Sequence, residues 1–230
     1  MIISHKHKFI FIKTQKTAGT SFEIMLSQIC GQDDIICPIA PKDEIVRKRL
    51  NFRTSQHYHI PFRYYSIRDL AKFIYHRKRL VYFNHMSASL IKKSIDHHIW
   101  NSYYTFAFER NPYDKMVSWY YFCGGDHKYG NVTNFLTSDL ARAIKGYDLY
   151  TECDEIIVNK VYKYEEMENA IQDFSNRIGL SGKLSLPYHR ANAEYRSCKS
   201  DYTLKLSKSD REWVESQFSK ELTLFNYSWD

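Results

Sequence analysis

Apolar positions along the chain fall into two kinds of run. Phe9–Ile12, flanked by Lys8 and by Lys13-Thr14, is unbroken, the pattern of a short strand buried on both faces. Runs rich in β-branched and aromatic residues recur at Leu80–Asn84, Tyr103–Glu109 and Ile156–Val161. Met1–Lys8 reads as a polar approach to the first strand. Between the strands lie helical patterns at about Thr20–Cys30, over much of 42–79, and at Pro112–Phe122. Further ones cover about Val132–Lys145, about Glu165–Ile178 closed by Gly179, and about Lys208–Lys220 with Ser207 or Ser209 as cap. Asn111-Pro112 supplies an N-cap and a first-turn proline, and Gly124-Gly125 a stop. Strands alternating with helices predict an α/β fold, a mostly parallel central sheet flanked by helices. No repeat or Pro/Gly-rich linker divides residues 1–230, so one domain is expected.

Two strand ends carry chemistry. After the first strand comes Gln15-Lys-Thr-Ala-Gly-Thr-Ser21, and a helix begins there. Free amides and the positive end of the helix dipole make such a loop an anion site. Thr17, Thr20 and Ser21 add hydroxyls, Ala18 and Gly19 a close backbone, and Lys16 a point charge. A capping box, Thr20-x-x-Glu23, accounts for Thr20 and Glu23 only. The Walker pattern GxxxxGK[ST] is absent. After the strand Tyr103–Glu109, Arg110 stands at the strand's carboxyl end, where α/β sheets bind ligands, and Ser118 lies two turns into the next helix.

The pair Lys-Thr-Ala-Gly-Thr-Ser and Arg-Asn-Pro-Tyr-Asp-Lys-Met-Val-Ser resembles the two nucleotide signatures of sulfotransferases. The likeness is greatest to the carbohydrate branch that includes heparan sulfate 2-O-sulfotransferase. The resemblance implies a P-loop-like nucleotide-binding fold and 3′-phosphoadenosine-5′-phosphosulfate (PAPS) as donor, with 3′,5′-ADP as product and no metal. It implies that Lys16, Thr17, Ala18, Gly19, Thr20 and Ser21 hold the 5′-phosphosulfate, and Arg110 with Ser118 the 3′-phosphate. Lys16 and His85 are the implied catalytic residues, His85 as base at the end of Leu80–Asn84; His57, His59 and Glu109 are weaker candidates. Leu186–Arg196 resembles a loop closing over the nucleotide, with Arg190, Asn192 and Arg196 as contacts. One departure is Gln15, where the family has proline.

Composition narrows the rest. The chain has 33 Lys+Arg against 26 Asp+Glu, a net charge of +7, and 16% aromatic residues. Thirteen basic and three acidic residues fall between 42 and 93, an excess of +10 that leaves −3 elsewhere. With Tyr58, Tyr64, Tyr65 and Tyr75 interleaved, this basic insertion (helical over about 42–79) is expected to grip an anionic carbohydrate acceptor rather than nucleic acid. Five cysteines without CxxC suggest reduced, mostly buried thiols, and no His pair has metal-site spacing. No apolar run reaches the ~20 residues that span a bilayer, and no signal-peptide pattern is seen. A cytoplasmic, bacterial protein is expected. A nucleotide kinase and a non-catalytic polyanion-binding protein are the alternatives.

Overall fold

A computed structural model of the protein describes residues 1–180, 182, 184–187 and 202–229. Its strands there are β1 (Ile2–Ser4), β2 (Phe9–Phe11), β3 (Ile35–Ile36), β4 (Tyr104–Glu109), β5 (Thr151–Glu152), β6 (Glu155–Ile156) and β7 (Lys160–Lys163). Five form one sheet in the order β3-β1-β2-β4-β7, and β5-β6 is a separate hairpin. The core is parallel, β2 with β4 and β4 with β7. The β1 strand extends it antiparallel to β2, and β3 pairs antiparallel with β1.

Helices follow in the order α1 (Gly19–Ser27), α2 (Pro41–Arg49), α3 (Ile67–His76), α4 (Ala88–Lys93), α5 (His97–Ser102) and α6 (Pro112–Phe122). Then come α7 (Gly125–Tyr129), α8 (Val132–Leu136), α9 (Asp139–Arg142), α10 (Tyr147–Tyr150), α11 (Met167–Arg177), α12 (Lys208–Gln217) and α13 (Ser219–Phe225).

Alternation along the strands sorts side chains onto the two faces. Phe9, Phe11, Phe106 and Phe108 pack with Phe22 and Met25 of α1 and Phe174 of α11. Ile10, Ile12 and Ala107 face the opposite layer, with Ile91 of α4, Trp100 of α5 and Tyr150 of α10. Phe22 meets Phe108 edge-on at 4.7 Å between ring centroids. Each such buried ring contributes roughly 1.5–3 kcal/mol, which anchors α1 immediately after the first loop. A third cluster joins α6, α8 and α12 beside the sheet.

Several expectations are corrected by the tertiary structure. The polar approach contains β1, whose three residues are all buried; a run this short carries no readable period. Leu80–Asn84 is not a sheet strand. It makes an isolated bridge, Val81 to His59, with Tyr82 N–H donating to the Tyr58 carbonyl at 2.8 Å. Tyr82 is buried while Val81 and Phe83 are exposed, so the apolar run is buried on one side only. The 42–79 segment is two α-helices, α2 and α3, separated by a stretch that is irregular apart from a 3-10 turn at Phe62–Tyr64. Val132–Lys145 breaks where the Thr137 and Ser138 hydroxyls donate to the carbonyls of Asn134 and Phe135. The last helix divides at Phe218; Ser207 caps α12 in a capping box with Asp210. The expected strand Ile156–Val161 is split between β6 and β7. Of the four described cysteines all are free, and Cys153 is exposed. The loop contacts expected of Arg190, Asn192 and Arg196 lie outside the described residues.

Candidate functional site

The first loop leaves β2 beside the carboxyl end of β4, because the two strands are parallel. Ile12 N–H donates to the Phe106 carbonyl (2.9 Å), and the Thr14 hydroxyl to that of Phe108 (2.5 Å). Beyond Thr14 the backbone turns sharply: Lys16 and Ala18 both adopt left-handed conformations, φ 63° and 56°. Non-glycine residues pay strain there, which persists only where surroundings hold it. The α1 helix then starts at Gly19, with Phe22 N–H to the Ala18 carbonyl as its first bond. The amides of Gly19, Thr20 and Ser21 precede that bond and head the helix dipole.

Individual loop residues differ in what they do. The buried Thr17 hydroxyl is engaged with Thr14 (2.9 Å), so it holds the loop's shape. A Cβ at Gly19 would lie 2.8 Å from Lys13 Cγ, so glycine is needed for the Lys13 stem to pass. The capping box at Thr20 is not formed. Glu23 instead faces Lys13 Nζ (2.6 Å) and the Met1 amino group, in full burial. Burial opposes its ionisation, yet the neighbouring cations Lys13, Met1 and Arg47 outweigh this and hold its carboxyl at about 2. Gln15 compensates for the missing proline: its side-chain oxygen accepts from Lys145 N–H (2.6 Å) and its own N–H donates to the Lys145 carbonyl (3.3 Å).

The second motif is bound to the first through Arg110. Its Nη1 donates to the Lys16 carbonyl at 2.8 Å, its Nε to Asp114 at 2.8 Å, and its plane lies 4.3 Å from the Tyr164 ring centre. Nη2 also bonds Asp114. Asp114, Ser118 and Phe122 are spaced four apart on α6 and share one face. Lys16 Nζ lies 4.3 Å above the Phe122 ring centre. Ser118 is therefore on the helix row between the Arg110 and Lys16 contacts. Burial and the Arg110 charge lower the Lys16 pKa to about 8. A lysine desolvated by burial, in the field of Arg110 and just ahead of a helix N-terminus, has a charge that a bound anion stabilises.

His85 joins this loop from outside the sheet. It sits in a left-handed turn (φ 61°), and its Nδ1 bonds the Lys13 carbonyl at 3.0 Å, three residues before Lys16. A carbonyl only accepts, so Nδ1 carries the proton and Nε2 keeps a lone pair. Burial, with the Lys13 charge second, lowers its pKa to about 4. Of the weaker candidates, His57 bonds the Gln32 carbonyl (3.1 Å) and His59 stacks on Tyr58. Glu109 is fully buried and spent on structure: Oε1 accepts from Arg110 N–H (2.9 Å) and Lys115 Nζ (2.8 Å), and Oε2 from Tyr150 (3.0 Å).

The two strand-end motifs thus meet at the carboxyl ends of adjacent parallel strands, in a fold of the expected α/β class. A sequence profile of the sulfotransferase family matches residues 1–228. The chain belongs to the sulfotransferase family. It is also similar to an uncharacterized protein of Archaeoglobus fulgidus, 28% identical over 111 residues that cover 46% of this chain and 92% of the relative. No solved structure matches it. In this sulfotransferase, sequence reasoning missed Lys13, Asp114 and Lys115. Asp114 was legible as an i,i+4 partner of Arg110. Lys13, one residue past a buried run, carried no signal of its partner Glu23.

Proposed function

We propose that the chain moves a sulfuryl group from PAPS to a hydroxyl of an anionic carbohydrate. The observation that carries this reading is the joining of the two motifs at the head of α1, with Arg110 Nη1 on the Lys16 carbonyl and His85 tethered to the same loop. Lys16 and the amides of Gly19–Ser21 suit the 5′-phosphosulfate. Arg110 keeps two N–H groups beyond its bonds to Asp114 and Lys16 and, with Ser118, suits the 3′-phosphate. Bound PAPS supplies the electrophilic sulfuryl group, and 3′,5′-ADP leaves. The Nε2 of His85 takes the acceptor hydroxyl's proton, which no hydroxyl gives up readily near neutrality. Lys16 stabilises charge gathering on the departing phosphate. On the acceptor side, Arg53 and His59 are exposed, and Tyr58 is half-buried in the segment paired with the approach to His85.

Thermal shift and isothermal titration test the donor reading. Stabilisation by 3′,5′-ADP, and none by ATP with magnesium, is expected. Arg110→Ala should weaken 3′,5′-ADP binding by ~1.5–3 kcal/mol, the worth of a charge-assisted bond; unchanged affinity removes Arg110 from the site. Absence of any 3′,5′-ADP binding rejects the donor. A panel of sulfated and uronic-acid glycans, scored for sulfate gain by mass, identifies the acceptor.

The Lys16 charge gives a pH signature. With its pKa near 8, free Lys16 loses its proton above pH 8, and bound phosphates restore it. Affinity for 3′,5′-ADP is therefore expected to fall by about tenfold between pH 7 and pH 9, with proton uptake on binding. Titrations in buffers of different ionisation enthalpy measure both. A flat profile without uptake would show that Lys16 does not face the phosphates.

A further inference from the structure

One element is left unexplained by the site. The α3 helix, ten residues from Ile67 to His76, buries none of its side chains. Ile67 is 88% exposed, Ile74 65% and Tyr75 84%. Ile67, Ala71 and Ile74 form one row by helical spacing, and Leu70 lies beside them. Only Phe73 turns inward, to Phe62 at 4.9 Å between ring centres. A helix this short is marginal in water without tertiary cover. It is nevertheless well terminated: Ser66 and Asp69 form a capping box, and Arg77 closes it in a left-handed turn. A bounded helix with an open aliphatic face calls for an apolar surface to cover it.

The charges say what kind. Arg68 and Lys72 share a row with Tyr75, immediately flanking the apolar row. Arg63 precedes the helix and Arg77, Lys78 and Arg79 follow it, all exposed. Asp69 is the one acidic residue among 62–81, and its carboxylate is turned to Ser66 (2.6 Å to the hydroxyl). We propose that α3 lies in the plane of an anionic lipid surface, its Ile67–Ile74 row entering the acyl boundary and its basic rim on the headgroups. Tyrosine suits that boundary, and Lys and Arg reach headgroups while their stems stay apolar. Pairing with a second copy would set Arg68 and Lys72 against like charges. A free glycan has no use for an aliphatic row. Among the described residues no helix is long and apolar enough to cross a membrane. The proposal assigns the α3 share of the basic insertion to lipid, independently of the donor reading.

Flotation with phosphatidylcholine vesicles, with and without phosphatidylserine, tests it on the full chain. The chain is expected to float with the anionic vesicles at least tenfold better than with the neutral ones, less so in high salt. Arg68→Glu/Lys72→Glu should weaken partition by about fivefold or more for each charge reversed. Ile67→Ser/Ile74→Ser should weaken it at least tenfold. Circular dichroism and melting temperature, unchanged in both variants, show that each is folded. No flotation with anionic vesicles overturns the proposal, as does equal flotation of the chain and the Ile67→Ser/Ile74→Ser variant. So does a dimer, seen by sedimentation, that this variant dissolves while vesicles bind nothing.

Discussion

Replacing His85 with Asn is expected to lower kcat by about 10²–10⁴-fold while leaving 3′,5′-ADP affinity within a factor of about two. Asn is the informative variant because it tolerates the left-handed turn that His85 occupies. It keeps an amide donor for the Lys13 carbonyl but offers no basic nitrogen. In the wild type, the Nδ1 bond to that carbonyl leaves Nε2 as proton acceptor, and a pKa of about 4 keeps the ring neutral at pH 7. As the proposed base His85 is ready without prior deprotonation, and the acid limb of the kcat/KM profile belongs near pH 4 rather than 6.5. Stability follows the same group. Between about pH 4 and 6.5 the unfolded chain binds a proton that the folded one refuses, so this contribution is present above pH 6.5 and lost as acid is added. The loss is on the order of 3 kcal/mol by pH 4 and should be absent in His85→Asn. Retained turnover in the variant would make another group the base.

The largest effect on stability is expected at Lys115. Its ammonium and the Glu109 carboxylate are both fully buried, 2.8 Å apart, with Tyr150 on the second oxygen. Lys115→Met leaves that carboxylate without its counter-charge, which costs about 3–5 kcal/mol. For a chain of this length that is a fall in melting temperature of roughly 6–20 °C. Glu109→Gln/Lys115→Met, which removes both charges, should recover most of it, because burying the pair was itself costly. A cycle of the four proteins, followed by calorimetry, measures the coupling; additive losses would show that the two residues do not act as a pair. Gly146 belongs to the same unit: a Cβ there would lie 2.1 Å from Lys115 Nζ, so the loop after α9 must carry glycine.

Much of the candidate site was legible because its signals are local. A buried strand followed by Lys16–Ser21, and a strand ending at Arg110 before Asn111-Pro112, each fit within about a dozen residues. Hydrophobic period and capping chemistry act at that range, and α6 and Ser207 obey them as expected. Leu80–Asn84 failed for the opposite reason. An apolar run reports how much surface is hidden, and not which partner hides it. Here 58–60 is the partner and the sheet position beside β2 belongs to β1. His85 consequently reaches the loop through one bond to Lys13, 72 residues distant in the chain. The Thr20 capping box failed because Glu23 had stronger partners, Lys13 and the Met1 amino group, brought near by tertiary folding.

By itself the sequence determined the α/β class, the two motifs and their order, and the concentration of positive charge in one insertion. Each follows from neighbouring residues or from counting. Tertiary structure alone decided how those charges are used. It buried Lys16 within the field of Arg110 and so lowered its proton affinity, and it hid Glu109 and Lys115 as a pair. It turned His85 into a neutral acceptor, and left α3 exposed with an apolar face inside a basic rim. Desolvation and the distance between charges set these properties, and both exist only once the chain has folded.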